Sequence, residues 1–286
     1  MKEHKILDHP IVGYFLLLIF ANLVSVIVSG IIDSMILGNI IPGYAVTAEI
    51  QGRTVISASG VGNAIGAIIA VGIFFLWFRP QFDGMLKKKD ILKALLLLLP
   101  ICAVHWIGSI ASCVQFGIAA VPIAFLRAAA PGFGEEAAFR GLGVANYMRK
   151  DPSEKGILTA FWLSSIVFGL IHIGNALNGA PLGISVLQGL YAIGIGMALG
   201  AVYLRTGNIL PCMLAHMSLD FLEFCRGDLG STGGIMINLG IGDWITIVAG
   251  IAGAVWGLYL IRPAVRADIT ALWKDKWSGT APADAS

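Results

Sequence analysis

Residues 11–32, IVGYFLLLIFANLVSVIVSGII, run for about six turns of helix without one charged side chain. Twenty or so consecutive apolar residues match the hydrocarbon thickness of a bilayer, so the stretch reads as a membrane-spanning helix. Lysines precede it, as in a secretory leader, but the run is too long for a leader's apolar core and lacks a small-residue cleavage site. It is expected to be a first span that stays with the chain.

Working outward, seven further apolar segments appear near 54–78, 94–114, 116–147, 156–173, 184–204, 208–225 and 244–261. Composition agrees: 57% of the 286 residues are hydrophobic, 13% are charged, and mean hydropathy is +0.83. Soluble domains carry about 25% charged residues. The expected fold is therefore all-α, a polytopic bundle of about eight transmembrane helices. It forms one domain over residues 1–286, with core motifs within 131–220 and a cytoplasmic juxtamembrane tail at 263–286. A net charge of +2 gives no reason to expect a nucleic-acid partner. The partners implied are the bilayer and whatever enters it.

Charge placement sets the expected orientation. With alternating spans and a cytoplasmic N-terminus, sixteen of the 19 Lys and Arg fall on or near the cytoplasmic side. Only Arg53 and Arg226 fall outside, and Arg127 lies within a span. Both termini are then cytoplasmic. Gly62 with Gly66, and Gly196 with Gly200, sit four apart and are expected to form close helix-packing faces. Trp273 and Trp277, beside Lys274 and Lys276, read as an interfacial anchor. Cys102, Cys113, Cys212 and Cys225 form no C-x-x-C and read as small buried hydrophobes.

The fourth segment breaks the apolar rule. Pro131-Gly-Phe-Gly-Glu135-Glu136-Ala-Ala-Phe-Arg140 carries two adjacent carboxylates and an arginine. Proline there should kink or break the helix and open a polar cavity. Charged groups at membrane depth are costly and mark functional sites. Glu136 and Arg140 stand at i, i+4 and are natural ion-pair partners, which leaves Glu135 without a local cation. A carboxyl so placed in a low-dielectric cavity suits a general base. Two further polar points lie in apolar surroundings: His172, in Phe168-Gly-Leu-Ile-His172, and the pair His216 and Asp220, again at i, i+4. Glu135 and His172 stand 13 and 14 residues on either side of one basic loop, so both lie roughly 20 Å from it on antiparallel helices.

Glu135-Glu136-Ala-Ala-Phe-Arg140, Phe168-Gly-Leu-Ile-His172 and His216-Met-Ser-Leu-Asp220 occur in the order of the motifs E-E-x-x-x-R, F-x-x-x-H and H-x-x-x-N/D. In this the chain resembles the CAAX-protease and bacteriocin-processing (CPBP or Abi) family of intramembrane endopeptidases, which includes the Rce1-type prenyl-protein proteases. The resemblance covers roughly residues 120–225. It implies that Glu135 activates a water held with His172, that His216 and residue 220 steady the oxyanion, and that Glu136 and Arg140 support the Glu135 helix. Asparagine at 220 would donate a hydrogen bond directly. Asp220 does so only when protonated, and otherwise orients His216. The substrate implied is a membrane-associated or lipidated peptide or protein, cleaved in a plasma membrane expected to be bacterial, in peptide maturation, C-terminal trimming or bacteriocin immunity.

No cofactor is expected. The rival is zinc held by Glu135, His172 and His216, although H-E-x-x-H is absent. Two non-peptidase readings stand beside it: a transporter using Glu135 and His172 as a relay, and a non-enzymatic immunity factor. A transporter needs polar residues leading to both faces, whereas the outer half around 180–187 is uncharged and fits a cavity open on one side. Gly240-Ile-Gly-Asp243 matches a presenilin-type G-x-G-D, but Asp243 directly precedes a span and reads as a helix N-cap.

Overall fold

The computed structural model describes residues 6–41, 46–50, 53–57, 60–78, 88–113, 121–178, 180–226 and 241–278. The start of the fourth segment and the side chains of Cys113, Cys225 and Asp243 lie outside what it describes.

Ten helices carry the described chain. They are α1 (Pro10–Ser29), α2 (Val61–Phe78), α3 (Lys88–Cys113), α4 (Val121–Ala129), α5 (Ala145–Lys150), α6 (Glu154–Ile173), α7 (Leu182–Thr206), α8 (Leu210–Arg226), α9 (Ile241–Leu260) and α10 (Pro263–Ser278). Helix α1 runs on through a π-helical stretch, Gly30–Leu37, and a last turn, Gly38–Ile40. Among the described residues the one departure from helix pairing is a hairpin of β1 (Val46–Ile50) and β2 (Arg53–Ser57), in antiparallel register with Val46 opposite Ser57.

The bundle is inside-out relative to a soluble protein. Large apolar side chains on α1 (Leu23, Val26, Ile27), α6 (Leu170, Ile171) and α9 (Val248, Ile251, Val255) face outward. Its buried polar groups, among them Glu136, Arg140 and His216, sit inside. Apolar faces of this extent belong against lipid. Among the described residues, four helical runs are long and apolar enough to cross a membrane: Pro10–Ile40, Val61–Phe78, Glu154–Leu177 and Leu182–Thr206. The pair Trp244–Leu260 and Pro263–Ser278, bent by 73°, makes a fifth if counted as one span.

The helices depart locally from the segments expected from sequence. The second begins at Val61 rather than Thr54, because the β-branched Thr54, Val55 and Ile56 lie in β2. Helix α2 then starts where Asp33 caps it. This fully buried carboxylate accepts the backbone N–H groups of Gly60, Gly62 and Asn63 at 3.2, 2.8 and 3.1 Å, and the Ser29 hydroxyl at 2.6 Å. Helix α3 contains Pro100 and opens with Lys88, Lys89 and Asp90. Helix α8 is 17 residues long and carries polar groups toward the interior.

Glycine sets the closest helix approaches. A Cβ at Gly66 would lie 2.6 Å from Ser25 Cα, so the expected Gly62/Gly66 face is the α1–α2 contact. A Cβ at Gly253 would lie 2.6 Å from the Gly194 carbonyl, which makes a second small-residue seam between α7 and α9. Gly196 and Gly200 face α6, through Phe168, Ser165 and Ser164.

Two ends are stapled. Trp273 on α10 is fully buried and donates its indole N–H to the Leu204 carbonyl at 2.8 Å. Lys276 donates to the carbonyl of Gly207, whose φ of 64° caps α7. The tail tryptophans therefore turn into the protein rather than anchoring at the lipid interface. The reason is geometric: the bend after Leu260 lays the Val265, Ile269, Trp273 and Trp277 face of α10 onto the bundle.

At the N-terminus Asp8 meets Lys150 and, at 3.5 Å, Arg149. These cations, chiefly the Lys150 hydrogen bond, hold the Asp8 carboxyl below its ordinary value of 3.8. A depressed carboxyl stabilises the fold above its unfolded pKa, and the contribution fades as pH falls through the folded one. Asp8→Asn is thus expected to lower thermal stability slightly at pH 7 and by less at pH 2. Melting curves at the two pH values check this.

Candidate active site

Helical hydrogen bonding is unbroken from Val121 to Lys150. Pro131 marks the expected irregularity, which takes the form of widened winding rather than a break: Ala130–Glu135 and Ala137–Val144 are both π-helical. Proline lacks an N–H and crowds the preceding turn, and a π-turn relieves both. Gly132 lets this segment press onto α8, where any Cβ would collide with Met217, the residue next to His216. Gly134 likewise leaves room for the Asn63 side chain. The two glutamates are thereby brought against α8 and α2.

Glu136 and Arg140 pair as their spacing suggests, Nη1 to Oε1 at 2.8 Å, with neither side chain exposed. Two more contacts hold the guanidinium. It donates from Nη2 to the Gly196 carbonyl at 3.1 Å and lies over the Phe168 ring with Cζ 4.7 Å from the centroid. A Cβ at Gly196 would sit 3.1 Å from Nη2, so this glycine also makes room for the arginine.

Glu136 has a second partner that its sequence spacing does not reveal. The same Oε1 lies 2.9 Å from His216 Nδ1. Spacing along one helix finds Arg140, but His216 is 80 residues away and reaches Glu136 only through the packing of α8 on the π-wound segment. On its other side His216 presents Nε2 to Asp220 Oδ2 at 3.2 Å and to Glu135 Oε2 at 4.0 Å. The imidazole thus stands between carboxylates at both nitrogens.

Glu135 is partly exposed, but its Oε2 is buried and has no hydrogen-bond partner among the described residues. It lies within electrostatic reach of His216, His172 and Asp220. His172 Nδ1 lies 2.8 Å from the Phe168 carbonyl, one turn back on α6. That bond requires the proton on Nδ1 and leaves the Nε2 lone pair free to accept. Phe168 packs edge-on against both histidine rings, with centroids 4.7 and 5.7 Å away.

A small pocket of ≈ 50 Å³, room for a few waters, opens among Phe168, His172, Gln188, Tyr191, His216 and Asp220. All six residues singled out from sequence (Glu135, Glu136, Arg140, His172, His216 and Asp220) thus meet within one interior cluster of the bundle. As for zinc, His216 already faces carboxylates at hydrogen-bond distance through both nitrogens. Among the described residues no three His, Cys, Asp or Glu side chains gather in a form that would hold a metal ion.

No curated protein and no solved structure matches the chain. Residues 117–222, the stretch that holds every residue of the cluster, match the family model described as type II CAAX prenyl endopeptidase Rce1-like, in line with the resemblance carried by the three motifs.

Proposed function

We propose that the protein is an intramembrane endopeptidase that hydrolyses peptide bonds with a water activated by Glu135. The observation that carries this reading is the buried Glu135 Oε2 without a hydrogen-bond partner, beside a histidine whose Nε2 lone pair is free. A buried acceptor left empty is costly, and a water held between it and His172 relieves the cost. That water is the nucleophile.

The chemistry balances with the groups in the cluster. Glu135 takes a proton as the water oxygen bonds to the scissile carbonyl carbon. The carbonyl oxygen becomes an oxyanion. His216, giving Nδ1–H to Glu136, also offers Nε2–H when its ring carries two protons, and the flanking carboxylates accept from both. Turned from Asp220 to the oxyanion, that N–H donates a charge-assisted bond where charge develops. Asp220 orients the ring between turnovers. As the C–N bond breaks, Glu135 returns its proton to the leaving amine. Arg140 holds Glu136 in place.

The family name and the motif resemblance support a lipidated or otherwise membrane-associated peptide as substrate, and a multi-pass plasma-membrane protein with both termini cytoplasmic. The test is turnover of a quenched fluorescent peptide, prenylated and unprenylated, by purified protein in detergent. A strong chelator is expected to leave the rate unchanged, with no stoichiometric zinc in active preparations. Activity lost to the chelator and restored by zinc would instead make Glu135, His172 and His216 ligands.

A further inference from the structure

We infer that the substrate enters this site from the end of the bundle where α6 ends and α7 begins, so that the peptides it takes are presented on the non-cytoplasmic side of the membrane. The inference deepens the endopeptidase reading and rests on it for the identity of the guest.

The pocket has a floor and a rim. Phe168, Ala192, Ile195, His216 and Leu219 are each at most 5% exposed. Exposure rises toward one end: His172 and Asp220 are half-buried and Gln188 is open. His172 precedes the last residue of α6, and Gln188 lies six residues into α7, so both stand near the same end of the bundle. Beyond them the chain turns through Gly174–Asn178, with Leu177 almost wholly exposed.

The opposite end is shut. Tyr147, Met148, Leu204 and Trp273 are buried there, α10 lies across it, and Lys276 and Trp273 tie α10 to the end of α7. Asp8 ties down the other corner through Arg149 and Lys150. A peptide could reach the pocket from that side only by displacing packed side chains.

The rim also has suitable chemistry. Asn175 donates to Gln188 Oε1 at 3.0 Å, so two carboxamides bridge the mouth. Carboxamides offer both donors and acceptors without net charge. They match the backbone N–H and C=O groups of an extended peptide rather than any charged side chain. The closed end, by contrast, is the one beside Arg149, Lys150, Lys155 and Arg205. Basic residues of short loops stay cytoplasmic, which puts the carboxamide rim on the other side.

The test uses the full chain, with its four cysteines replaced, carrying Gln188→Cys, Asn175→Cys or Ser153→Cys, the last in the exposed turn at the basic end. A membrane-impermeant maleimide is expected to label positions 188 and 175 in intact cells, and position 153 only after permeabilisation. Labelling of 153 in intact cells, or of 188 and 175 only after permeabilisation, overturns the inference. So does failure of both rim positions to react under either condition. Sealed vesicles of both orientations, given the fluorescent peptide outside, separate this idea from the catalytic one. Cleavage only when the rim faces the peptide is expected, and cleavage only from the basic end overturns the entrance. Normal rim labelling with no cleavage from either side refutes the peptidase reading instead.

Discussion

Glu135→Gln is expected to reduce peptide cleavage by roughly 10²–10⁴-fold, the range contributed by a positioned general base, while the protein inserts and melts as the parent does. Glutamine keeps the shape of the side chain but cannot take a proton from water at neutral pH. Stability is spared for a reason visible at the site. Oε2 of Glu135 makes no hydrogen bond within the described residues, so its replacement breaks none there. It removes repulsion from Glu136 and Asp220 together with attraction to His172 and to His216, 4.0 Å from Oε2. Glu136→Gln provides the contrast. There a carboxylate oxygen facing both Arg140 and His216 is lost, and the melting temperature should fall along with activity. Matched turnover and thermal unfolding of the two variants separate the roles. Full turnover by Glu135→Gln would end the general-base proposal, whatever else the site contains.

How far the site was legible from sequence depended on the length scale of each contact. Contacts within one helix follow from its period. Glu136 with Arg140 and His216 with Asp220 stand four apart, and the structure pairs both. The Gly62/Gly66 and Gly196/Gly200 faces follow the same rule and pack as expected. The link from Glu136 to His216 joins the π-wound segment to α8, and no spacing along the chain encodes it. Pro131 announced an irregularity, but whether the helix breaks or widens depends on how the freed carbonyls find donors, which is decided by packing. Asp33 gives no signal in the sequence because it reads as one polar residue near the end of a span. Its role as the cap of α2 exists only once the intervening residues fold back. The tail misled for a different reason. A Trp-Lys-Asp-Lys-Trp pattern suits both a lipid interface and a protein groove, and the 73° bend after Leu260 selects the groove.

The remaining large effect concerns the charge cluster beneath His216. Arg140→Ala is expected to cost about 3–5 kcal/mol of stability, as when one member of a buried ion pair is removed. The cost arises because Glu136, with no exposed surface, would keep its charge without the guanidinium 2.8 Å away. The Gly196 carbonyl loses its donor as well. Replacing both residues by apolar ones of similar size should recover most of this loss, since no charge is then stranded. Recovery should stop short of complete by about 1–3 kcal/mol, the cost of a buried donor left unpaired, because His216 Nδ1 would have lost its acceptor. Activity should not return in the double variant, for the same contact sets which nitrogen of His216 carries the proton and where the ring points. The measurement is a double-mutant cycle on unfolding in detergent, with turnover recorded for each corner. Losses that simply add would show that the two side chains act independently. Recovered stability together with recovered turnover would show that Glu136 serves Arg140 alone and that His216 keeps its orientation through Asp220.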